Sequence, residues 1–94
     1  MKRSDFRWAI EAGIRRSGLD AEQAYKLWTV ADKAKAVGSN FSVGPGCPIA
    51  QAGLMPDKGN LTSKQWAFVS CYDKVMMNML GSWSGYQGTI DIED

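Results

Sequence analysis

The 94 residues carry 45% hydrophobic and 22% charged side chains and include four Trp, which excludes intrinsic disorder and sets one globular domain. Net charge is only +1 and His is absent, so there is no global pull toward nucleic acid or membrane, and the commonest general base and metal ligand are missing. With no basic-then-apolar leader and no apolar run of about 18 residues, the expectation is a cytoplasmic chain without a membrane partner, its Cys47 and Cys71 reduced.

The first helix is expected over residues 5–17, capped by Ser4, favoured by Asp5 in its first turn and stopped by Gly18. At about 100° per residue, Phe6, Ala9, Ile10, Gly13 and Ile14 share a packing face. Arg7, Glu11 and Arg15 step along the other side at i, i+4, with Trp8 beside them and out of phase with the core. Asp20, with Gln23 three residues on, is a capping-box variant that opens a second helix over residues 21–37, closed by Gly38. Its apolar stripe is Ala24, Leu27, Trp28, Val30, Ala31 and Ala34.

Residues 38–60 turn rich in Gly and Pro and read as a connecting loop holding one helical turn, residues 48–54, with Pro48 at its first position. Thr62 and Gln65 form another capping box, opening the last helix over residues 63–80 before Gly81 ends it. The tail, residues 82–94, has too much Gly and Ser for a helix. Thr89 to Ile92 are expected to be extended and the acidic end to fray. The expected fold class is all-α, a small bundle of three main helices with the last one central and wrapped by the first two.

Half the circumference of the last helix is apolar: Phe68, Val69, Cys71, Tyr72, Val75, Met76, Met79 and Leu80. Trp66 and Met77 fall outside that arc, in a narrow stripe beside Asp73. Two fates for the stripe stay open: the tail covers it through Trp83, Tyr86 or Ile90, or another molecule does. Trp anchors and adaptable Met side chains suit an interface. The leading expectation is therefore a non-enzymatic interaction module, an adaptor or inhibitor of the kind that phages and other mobile elements encode. It would form a homo-oligomer or bind a protein partner through Trp66, Asp73, Met77, Trp83 and Tyr86.

The alternative is a nucleic-acid or nucleotide binder using Arg3, Arg7, Trp8, Arg15 and Lys26, with Lys2 and Arg16 also on the first helix, in which Arg side chains hold phosphate and Trp8 stacks on a base. Glu11 counts against it, since it sits between Arg7 and Arg15. In a helix-turn-helix geometry the second helix would present Tyr25, Lys26, Thr29 and Lys33, a weakly basic face. The Gly-Pro-Gly run before Cys47 lacks the Lys and Ser/Thr of a phosphate loop. Cys47 stands near a helix N-terminus, where a thiol pKa can be lowered, but without a His base or a neighbouring Cys no nucleophilic catalysis is expected. The carboxylates show no metal-ligand spacing, so neither metal nor cofactor is expected.

Overall fold

The computed structural model describes residues 1–38, 46–56, 59–81 and 89–94. The elements run α1 (Arg3–Ser17), α2 (Ala21–Lys33), β1 (Ala36–Gly38), α3 (Pro48–Gln51), α4 (Ser63–Leu80) and β2 (Thr89–Asp91). The fold is mostly helical, as expected, but it is not all-α. β1 and β2 pair antiparallel with Ala36 opposite Asp91, Val37 opposite Ile90 and Gly38 opposite Thr89.

That small sheet corrects the end of the second helix. Ala, Lys and Val at 34–37 permit helix, yet α2 stops at Lys33 and Ala34 turns to extended backbone at φ −63°, ψ 136°. The chain then enters β1, where Val37 is buried. Pairing with a strand more than fifty residues away thus overrides local propensity. The C-terminus is not frayed either. The Ile92 N–H donates to Lys35 O at 2.8 Å, the Glu93 N–H to Met1 O at 2.7 Å, and the Arg3 N–H to Glu93 O at 2.7 Å. The last residues therefore lie between β1 and the chain start, and Ile92 enters the core.

The same clasp moves the start of α1. Ser4 lies inside the helix; the N-cap is Lys2, whose side chain makes no capping bond. Backbone pairing of Lys2 with Glu93 holds the entry instead. The caps of the other two long helices are those expected. Asp20 accepts from the Gln23 N–H, and Thr62 and Gln65 bond reciprocally as a full capping box. Pro48 opens α3, the expected turn, which closes after one turn at Gln51.

In the packing it is α1, not α4, that stands at the centre: it lies extensively against α4 on one side and α2 on the other, and α2 in turn meets α3. The approach of α1 to α4 depends on Gly13. A Cβ there would sit 2.7 Å from Phe68 Cδ2 and 3.1 Å from the Phe68 carbonyl oxygen. The Phe68 ring lies on bare backbone and stacks on Tyr72, with centroids 5.8 Å apart; Tyr72 in turn meets Phe6 edge-on at 6.4 Å. Offset and edge-to-face pairs of this kind add about 1 kcal/mol each beyond buried area.

Gly13→Ala is the sharp test of this packing. In an exposed helix it would stabilise by about 1 kcal/mol. Here overpacking against Phe68 should cost about 1–3 kcal/mol. We expect a net loss of stability in urea unfolding, together with altered near-UV signals from the buried aromatics.

Candidate interaction surfaces

On α4, successive residues turn by about 100°, which puts Trp66, Asp73, Met77 and Leu80 within one narrow arc beside the buried face. Trp66 is 49% exposed, Met77 40% and Leu80 37%. Leu80, assigned to the core from the sequence, belongs instead to this flank. It lies at the edge of the apolar arc and is the last residue of the helix, followed directly by the Gly81 cap. Asp73 differs from its neighbours in being half-buried. Trp83 and Tyr86, the other residues of this candidate surface, lie outside the described residues.

Inside from this flank sits a buried group of ionisable side chains. Burial pushes the Tyr72 phenol well above its ordinary range, and the charges of Asp73 and Cys47 add to the shift. The Tyr72 hydroxyl finds no hydrogen-bond partner among the described residues. Cys47 is fully buried, and burial raises its pKa although backbone amides at Ala50 and Ile49 pull the other way. The lowered thiol pKa that its place before a helix suggested is absent, because removing the thiolate from water outweighs a helix of four residues.

The second set of candidates is divided by the fold. Arg3 is internal: its guanidinium donates to Ala31 O at 3.0 Å and Ala34 O at 2.9 Å and pairs with the Asp94 carboxylate. It caps the C-terminal carbonyls of α2 and cannot serve as a surface cation without releasing them. Arg7 is also engaged, 2.6 Å from Asp32 and 5.5 Å above the Trp28 ring. Trp8 is 58% exposed, and Arg15 is held only at 3.8 Å from Glu11. Lys26 lies 3.4 Å from Glu22 and, with Tyr25, Thr29 and Lys33, lines a shallow groove between α2 and α3, away from Trp8. The five residues proposed together from the sequence thus do not form one patch.

The sequence reading missed the role of Gln65. Beyond its capping bond, its Nε2 donates to Gln23 Oε1 and to Leu54 O, both at 3.2 Å, tying the starts of α2 and α4 to the segment after α3. A signal was present: Gln65 stands three and seven residues before Phe68 and Tyr72, so a polar residue occupies the core face. Among the described residues no group of His, Cys, Asp or Glu could hold a metal ion, and no helix is long and apolar enough to cross a membrane. Comparison with protein-family models, with curated proteins and with solved structures found no match.

The buried thiol and phenol set the alkaline limit of stability. Both keep their protons to higher pH in the folded chain than in the unfolded one, so their contribution is intact below the unfolded values and lost above them. Unfolding free energy should fall once pH passes about 9.0, where the unfolded Cys47 ionises, and more steeply past about 10.0, where Tyr72 joins it. Each group adds up to about 1.4 kcal/mol per pH unit. Urea titrations across this range should show Cys47→Ala flattening the first part of the decline.

Proposed function

We propose that this chain is a small interaction module, not an enzyme, and that it works by burying the Trp66, Met77 and Leu80 flank of α4 against another protein surface, a second copy being the simplest occupant. The observation that carries this reading is that three of the large apolar side chains left exposed by folding stand together on one arc of one helix. Single exposed apolar residues need no explanation, but here Met77 and Leu80 lie one turn apart with Trp66 about three turns before them on the same arc, an alignment that suits an extended interaction surface. Further support comes from the chemistry of the chain, which has no His and buries Cys47 in its protonated form.

Magnitudes are adequate for the role. A Trp buries at most about 250 Å², so covering the exposed half of Trp66 removes about 125 Å² from water and contributes about 3 kcal/mol. That corresponds to roughly a hundredfold in affinity.

Light scattering over a low-to-high micromolar series tests the self-association form of the proposal. The expected result is a mass that rises above the 10.3 kDa of one chain, with Trp66→Ala and Met77→Ala each returning it toward the monomer while leaving the far-UV spectrum unchanged. A monomer at every concentration, combined with a loss of several kcal/mol of stability in Trp66→Ala, would show that the flank is covered by the chain itself and would overturn the reading.

A further inference from the structure

The seam between α1 and α4 carries a second surface, on the other flank of α4 from Trp66. Two grooves of about 300 Å³ and 460 Å³ run along it and share Arg16, Cys71 and Val75 as lining, so they form one furrow. Each volume is within the range of small-ligand sites. The floor is apolar, from Ala12, Val75 and Ala67, with the Cys71 thiol turned inward to Ala12 O at 3.4 Å. The rim is cationic: Arg15 and Arg16 from α1 face Lys74 from α4. Glu11 is the one carboxylate among the lining residues, and at 3.8 Å it holds Arg15 only loosely. Trp8 stands at the end of the furrow with more than half its surface in water.

We infer that this furrow binds single-stranded nucleic acid, with Trp8 as the stacking platform and Arg15, Arg16 and Lys74 as phosphate contacts. An aromatic face at the mouth of a positively charged groove is the arrangement that holds unpaired bases without reading their sequence. The dimensions agree. Trp8 and Arg15 are seven residues apart, about 10.5 Å along the helix axis, the length of about three stacked nucleotides at ~3.4 Å each. A duplex would present phosphates to the cations but no base face to Trp8. An acidic peptide would satisfy the cations and leave the indole without a planar partner.

The site differs from the basic face read from the sequence. Arg3 and Arg7 drop out because Ala31, Ala34, Asp94, Asp32 and Trp28 engage them. Arg15 and Arg16 stay from that face, and Lys74 enters because the packing of α4 on α1 brings it to the furrow that Arg16 lines. The inference does not depend on the Trp66 flank, and Trp66→Ala should leave it untouched.

The experiment is fluorescence anisotropy of fluorescein-labelled dT12 and rU12 titrated with the full chain from low to moderate salt. Saturable binding is expected, with log affinity falling against log salt at a slope near −2, since about three phosphates are neutralised at roughly −0.7 each. Arg15→Gln, Arg16→Gln and Lys74→Gln should each make the slope shallower by about 0.7. Trp8→Ala should weaken binding about 5- to 150-fold at unchanged slope, and Trp8→Phe should restore most of it. These side chains are exposed, so thermal melts of the variants should match the parent. Three results would overturn the inference: no binding at low salt, binding indifferent to Trp8→Ala, or displacement by poly-L-glutamate as readily as by unlabelled oligonucleotide.

Discussion

The contact of the Phe68 ring with the bare backbone of Gly13 fixes the distance between α1 and α4, and the furrow along their seam follows from that distance. With α1 this close, the core-facing arc of α4 is filled by Phe68, Tyr72 and Met76, and the ring stack extends through Tyr72 to Phe6. The same approach leaves Ala12 against Cys71 at the seam, small residues on either side of a shallow furrow. Larger side chains at those positions would fill it. Close packing and the furrow are therefore two consequences of one choice, small residues where the helices meet and long ones at the rim.

A second constraint acts from the ends of the chain. The C-terminal strand is gripped by β1 on one side and by Met1 to Arg3 on the other, and the Arg3 guanidinium reaches through to the last carbonyls of α2. Exposed ion pairs contribute little, but this guanidinium is mostly covered and bonds two carbonyls that the helix end would otherwise leave unmet. One side chain thus caps the end of α2 that the β1–β2 pairing sets and ties the start of α1 to it and to the acidic terminus. It also removes the strongest candidate cation from the outer face of α1, so a fold-stabilising contact narrows the choice of function.

Much of this was legible in the sequence wherever the determining interactions are local. The caps at Asp20 and Thr62, the stop at Gly18, the Pro48 turn and the packing faces of all three long helices depend on residues within a turn or two of each other. The out-of-phase placement of Trp8, Trp66 and Met77 was legible for the same reason, because helical phase is a local property. What escaped depends on partners far along the chain. The end of α2 is set by a strand at 89–91, the role of Arg3 by Ala31, Ala34 and Asp94, and the furrow by the juxtaposition of Arg16 with Lys74. No periodicity within a helix encodes those pairings. Gln65 falls between the two cases: its place on the core face was visible, whereas Gln23 and Leu54 as its partners were not.

The two proposed surfaces lie on different flanks of α4, and the exposed Ser70 and Lys74 form the furrow's rim on the side nearer to Met77. Their chemistries differ accordingly. The arc of Trp66 and Met77 carries no Lys or Arg, so it lacks the cations that a phosphate contact would need. Trp8 shares its groove with Arg15 and Arg16 against the single carboxylate of Glu11, and Lys74 adds a third cation farther along the furrow, a balance that suits phosphate and bases. Two chains joined through the α4 flanks would together carry two furrows, and linking two weak single-strand sites in this way raises avidity without any new contact. With a net charge of only +1 and three cations along the furrow, so few phosphate contacts would give weak binding at physiological salt, which such a gain would offset.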